Sequence, residues 1–105
     1  MKIKVAVEAL AALAQESRLA IFRLLVQTGK EGVAAGVMGE KLGIPPATLS
    51  FHLKTLTHAK LIKSRVDGRF VIYSANFAEM DKLIAYLTEN CCAGDAAQCA
   101  PIKKC

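Results

Sequence analysis

Two consecutive prolines, Pro45 and Pro46, follow Gly43 and Ile44 between two segments of helical periodicity. They restrict the fold more than any other feature of the chain. A proline inside a helix removes a hydrogen bond and clashes with the preceding turn, so the first segment must end before Pro45. At the first position of a helix the missing N–H costs nothing, so Pro46 suits the start of the next one. Gly43 supplies the stop signal. The first segment repeats Val37, Met38 and Leu42 at helical spacing, and the second runs over residues 47–59. Two helices joined by so tight a turn are a helix-turn-helix.

The flanking segments complete an architecture. Residues 5–14 are rich in Ala and Leu, which have high helix propensity. Ser17 is expected to cap a second helix over residues 18–26, whose Leu19, Ile21, Phe22, Leu24, Leu25 and Val26 place it in the core. Gly29 ends that helix, and Gly32 and Gly36 flank a short connection of small residues. After Leu61 the period changes to two over residues 62–66. Asp67-Gly68 is a strong hairpin signal, and residues 70–73 form the returning strand. Asn76 caps a last helix from Phe77 to about Glu89, with Phe77, Met80, Leu83, Ile84 and Leu87 on one face. The expected fold is mainly α with a β-hairpin wing. It is a winged helix-turn-helix over residues 1–90, followed by a flexible tail over residues 91–105.

At 105 residues the chain is one domain by length. An apolar content of 53% is high for a soluble monomer. The outermost helices lack an obvious partner within so small a domain. Pairing of the N- and C-terminal helices across a two-fold axis, as a homodimer, accounts for both. The net charge of +5 favours a polyanionic partner. No apolar run reaches the roughly 18 residues of a membrane span, and the N-terminal residues lack a secretory pattern, so a cytoplasmic location is expected.

On a wheel of about 100° per residue, Leu49, Leu53 and Leu56 of the second helix of the helix-turn-helix fall together and face the core. Ala47, Phe51, Lys54 and Thr55 lie opposite, flanked by Thr48 and Ser50. Such a short, polar and basic face suits the major groove of double-stranded DNA. Thr48, Ser50 and Lys54 can bond phosphates or base edges. Phe51 either touches a thymine methyl or packs on a neighbouring helix. His52 sits nearer the core edge, and His58 at the far end of the outer face. Neither has a second His at metal spacing. Both read as structural or phosphate-contacting, and His52 is counted with the DNA-facing set. Lys60, Lys63, Arg65 and Arg69 surround the hairpin against one acid, Asp67. Lys63, Arg65 and Arg69 are the expected wing contacts to DNA.

All four cysteines, Cys91, Cys92, Cys99 and Cys105, sit in the last fifteen residues. A set placed for packing would be scattered through the fold. In a reducing compartment, clustered thiols bind metal or sense redox state more often than they form structural bridges.

The stretches Ser17 to Leu25, Gly39 to Gly43, Ala47 to Leu56, Arg65 to Arg69 and Ile72-Tyr73 together resemble the ArsR/SmtB family of metal-responsive repressors, over nearly residues 5–90. The resemblance implies a homodimeric winged helix-turn-helix repressor that occupies an operator and leaves when an inducer ion binds. Many arsenic-responsive members carry a cysteine pair near the start of the helix-turn-helix. Residues 32–37 here have none. Zinc-sensing members place Asp, His and Glu ligands across the last helices, and residues 77–90 here contain no His. The C-terminal cluster is similar to the arsenic-responsive subgroup with a vicinal pair and a third cysteine a few residues on.

Trivalent arsenic, as arsenite, and antimonite are soft and pyramidal, and soft ions select thiolates. Cys91, Cys92 and Cys99 would supply three from one chain, with Cys105 a spare ligand. Zinc or cadmium would draw on all four cysteines, although adjacent residues point poorly at two tetrahedral corners. Thiol redox sensing and a disulfide-tied tail are further readings. A small thiol enzyme or a metal-buffering module is the rival class. No Cys-x-x-Cys motif, phosphate loop or neighbouring His or Arg in the tail supports the enzyme.

Overall fold

The first helix, α1 (Ile3–Leu13), buries Ala6, Ala9 and Ala12 along one side. Small side chains there let α1 lie close against the second, fourth and fifth helices. In this computed structural model residues 1–94 are described, and residues 95–105, with Cys99 and Cys105, lie outside the described residues. Helix α2 (Glu16–Thr28) places Ile21, Phe22 and Leu25 in the core. Its cap is Gln15 rather than Ser17. The Gln15 side-chain oxygen accepts from the Arg18 amide at 2.9 Å, doing the job expected of Ser17 two residues later. Arg18 in turn closes the end of α1, its Nε donating to the Ala12 carbonyl at 2.6 Å. A cation there also opposes the negative end of the helix dipole.

Gly29 ends α2 at φ 72° and opens a short 3₁₀ turn, Gly29–Glu31. The small-residue stretch that follows is not a plain connection. Val33–Ala34 forms a strand, β1, which the sequence pattern missed because two residues are too few to show a period. Helix α3 (Ala35–Leu42) begins two residues before Val37 and ends on Gly43 in the left-handed conformation. Pro46 stands at the first position of α4 (Pro46–His58). The wing is β2 (Ile62–Asp67) and β3 (Phe70–Ala75), joined by Gly68 and Arg69. β1 adds to the other edge of β3, giving an antiparallel sheet of order β1-β3-β2. Asn76 does cap α5 (Phe77–Leu87), its Oδ1 accepting from the Glu79 amide at 3.3 Å. This helix stops two residues short of Glu89.

Ile21 and Leu25 of α2, Met38 of α3, Leu56 of α4 and Leu61 just before the wing are fully buried and form the centre. Each such side chain contributes roughly 1.5–3 kcal/mol by burial. Gly32 makes the third strand fit. Its φ is 75°, and a Cβ there would strike the Tyr73 carbonyl oxygen and lie 2.9 Å from Ile72 Cγ2. Gly29 has a similar φ but open space around it. Gly32→Ala should therefore destabilise the fold by about 2–4 kcal/mol, strain and overpacking together, against about 1–2 for Gly29→Ala. Urea titration of both variants checks this, and equal losses would show that β1 is not packed against β3 at Gly32.

Candidate nucleic-acid interface

Helix α4 is seated by Leu49, Leu53 and Leu56, all buried. The opposite side is open: Ala47, Thr48, Ser50, Phe51 and Lys54 are exposed. Phe51 is 64% exposed. Among the described residues its ring neighbour is His52 of the same helix, edge-on at a centroid distance of 6.0 Å, and its side chain is left open. Thr55 is half-buried and its hydroxyl donates back to the Phe51 carbonyl at 3.2 Å, which leaves only acceptor capacity outward. The first helical amides, those of Ala47 and Thr48, have no intrahelical carbonyl. They sit at the positive end of the helix dipole, where a phosphate is favoured. Side-chain patterning alone does not display these two donors.

His52 departs from the expectation. It is 8% exposed, within the core side of α4, and cannot reach a groove. The wheel put it at the core edge, and the packing of α4 closes over it. Its Nδ1 is buried and, among the described residues, has no hydrogen-bond partner. His58 is exposed and lies 3.4 Å from the Glu8 carboxylate of α1.

The wing divides by its pleat. Side chains paired across β2 and β3 share a face, and faces alternate along each strand. Ile62, Ser64 and Val66 pair with Ala75, Tyr73 and Val71 and turn toward α4. Ser64 and Tyr73 accordingly share a cleft with Lys54, Thr57 and His58. Lys63 and Arg65 pair with Ser74 and Ile72 on the reverse face. Both had been expected to contact DNA beside α4, and the alternation turns them away from it. Arg65 Nη2 donates to the Glu31 carbonyl at 2.8 Å, tying the wing to the 3₁₀ turn. Arg69, at the tip, is exposed and remains the wing cation best placed to meet a duplex that lies along α4.

At the other end of the molecule Cys91 is exposed and Cys92 half-exposed, in a short turn (Cys91–Gly94) just beyond α5. Cys92 and Ala93 adopt φ of 56° and 57° there. Cys92 is disulfide-bonded. Among the described residues no three His, Cys, Asp or Glu side chains converge on a metal position. Cys99 and Cys105, the other proposed ligands, lie outside the described residues.

This geometry matches known proteins. Residues 13–65 fit the family described as a helix-turn-helix domain. The arsenical resistance operon repressor of Bacillus subtilis (strain 168) is 36% identical over 81 residues, 77% of this chain and 73% of that protein. The chain belongs to the ArsR/SmtB family of transcriptional regulators. An uncharacterized HTH-type regulator of the same organism, YceK, is 50% identical over 58 residues, 55% of this chain and 57% of YceK. The chain thus spans little more than half the length of that relative. An ArsR-like transcriptional regulator from Rhodococcus sp. RHA1 superposes with a TM-score of 0.74 at 27% identity, covering 88% of this chain and 83% of that one. These are regulators that act through a helix-turn-helix, not enzymes. Among the described residues no helix is long and apolar enough to cross a membrane.

Two substitutions separate the face from the core. Arg69→Gln should weaken duplex binding across sequences and lower the slope of log affinity against log salt by about one. His52→Leu should leave that slope and the affinity unchanged while folding stability holds or rises, because it removes an unpartnered buried nitrogen. Anisotropy titrations at several salt concentrations read the first, and urea denaturation the second. A loss of DNA affinity in folded His52→Leu would return His52 to the interface.

Proposed function

We propose that the protein is a homodimeric repressor that binds operator DNA and releases it when trivalent arsenic, or antimony, is held by the reduced thiolates of Cys91, Cys92 and Cys99. The observation that carries the DNA-binding half is the seating of α4. A buried leucine row fixes it, and its outer face of Ala47, Thr48, Ser50, Phe51, Lys54 and Thr55 is left unoccupied. Arg69 and the apolar wing residue Val66 would follow the adjoining backbone and minor groove.

An exposed apolar stripe on α1 supports dimerisation. Ile3, Val7 and Leu10 recur at helical spacing in an exposed row that borders the buried row of Ala6, Ala9 and Ala12. Leu87 on α5 is exposed as well. A second copy covering both helices would account for the high apolar content. It would also set two α4 helices about one turn of DNA apart. Val7→Lys is expected to shift the protein toward monomer in sedimentation velocity at micromolar concentration, with loss of tight operator binding.

Induction by a soft ion rests on the vicinal cysteines at the end of α5 and on the similarity to an arsenical resistance repressor. The disulfide at Cys92 favours a second reading, in which oxidation itself is the signal. Thiolate binding then belongs to the reduced chain only. Native mass spectrometry of the reduced protein with arsenite separates the two. The expected result is one arsenic per chain, lost in Cys99→Ser, with arsenite weakening DNA binding roughly 5- to 150-fold. Absence of arsenic binding, together with DNA affinity that changes between thiol reductant and mild oxidant, would replace the ion with redox control.

A further inference from the structure

The reverse face of the wing holds a cavity that the DNA-binding reading leaves unused. It lies at the base of the hairpin, between β2, β3, the 3₁₀ turn and the start of α5, and encloses about 560 Å³. Lys30, Lys63 and Arg65 line it, and no acidic residue does. Ser74 also lines it. That residue is only 5% exposed, and among the described residues its hydroxyl has no hydrogen-bond partner. An unpartnered hydroxyl on a residue so nearly buried, lining a basic cavity and not sealed off from it, can take its bond from a ligand held there.

The remaining walls agree in sign. The cavity meets α5 at its first residues, Phe77 and Ala78. The Asn76 side chain serves the amide of Glu79, so the Phe77 and Ala78 amides keep their donors at the positive end of an eleven-residue helix. Arg65 is held by one Nη2 bond to the Glu31 carbonyl, which leaves its other N–H groups for a second acceptor. Glu79, the nearest acid on α5, is paired with Lys82 at 3.5 Å.

We infer that this cavity is a binding site for a free, multiply charged oxyanion, a phosphate or a phosphorylated small molecule, held by Lys30, Lys63, Arg65, the Ser74 hydroxyl and the first amides of α5. Shape and chemistry both favour this class. Three cations and a hydroxyl give charge-assisted bonds to several oxygens, and the volume exceeds what one phosphate fills. Ser64 borders both clefts, but pleat alternation puts Lys63 and Arg65 on the face opposite Tyr73, so a duplex lying along α4 does not reach these two cations.

Isothermal titration of the full-length reduced protein with inorganic phosphate, then pyrophosphate, tests the site. One saturable equivalent per chain is expected, tighter for pyrophosphate. Lys63→Gln, Lys30→Gln and Ser74→Ala should each weaken it by about tenfold, the size of one lost charge-assisted bond, while Arg69→Gln leaves it unchanged. No saturable heat at millimolar anion, or an equal loss in Arg69→Gln, would overturn the proposal. A duplex-binding titration of Lys30→Gln separates the sources of phosphate. An unchanged salt slope is expected for a free ligand, and a slope lower by about one would assign the cavity to the DNA backbone instead.

Discussion

The burial of Leu49, Leu53 and Leu56 against the other helices decides which side of α4 faces outward. Every other feature of the interface depends on that seating. Removing one such leucine would forfeit about 2–5 kcal/mol, a large share of the stability of a domain this size. The same rotation of α4 that buries these three exposes Phe51 and Lys54 and hides His52. Orientation here follows from the helical period, so one hydrophobic row fixes both the core and the reading face.

The wing obeys the shorter period, with a comparable result. Alternation along β2 sends Ile62, Ser64 and Val66 one way and Lys63 and Arg65 the other. A count of positive charges around the hairpin makes all of them one basic patch. The pleat splits it into a tip that carries Arg69 and a reverse face that carries a cavity. Arg65 shows how a surface cation can be structural: its bond to the Glu31 carbonyl joins the hairpin to the chain just after α2.

Much of this was legible in the sequence. Pro45-Pro46, Gly43, Asp67-Gly68 and Asn76 are local signals, each with one physical outcome, and each stands where expected. What escaped depended on contacts between distant residues. Val33 and Ala34 become a strand only because β3 lies beside them and Gly32 allows the approach. Gln15 could cap α2 as well as Ser17, and the choice rests on where α1 ends. The side of the wing that Lys63 faces was fixed by strand register, and the lack of a partner for Ser74 by packing. Composition reports neither.

Helix α5 links the two ends of the molecule. Its eleven residues span about 16 Å, from the basic cavity at its first turn toward the cysteine-bearing turn beyond its last. Its start is pinned to the chain just after α4. The Asn76 amide donates to the Leu61 carbonyl at 2.8 Å, and the Asn76 side-chain amide donates to the Lys60 carbonyl at 3.0 Å. Leu61 in turn donates to Leu56, one of the leucines that seat α4. A rigid helix anchored at that point moves as a lever. An ion that reordered Cys91 and Cys92 would tilt α5 about Asn76, and the tilt would reach α1, against which α5 packs, and the end of α4 through these bonds. The path runs along backbone hydrogen bonds from Asn76 through Leu61 to Leu56, so it enters the buried leucine row at its last member. An anion at the first turn of α5 would load the same pivot from its other side, so the two sites would act on one mechanical joint.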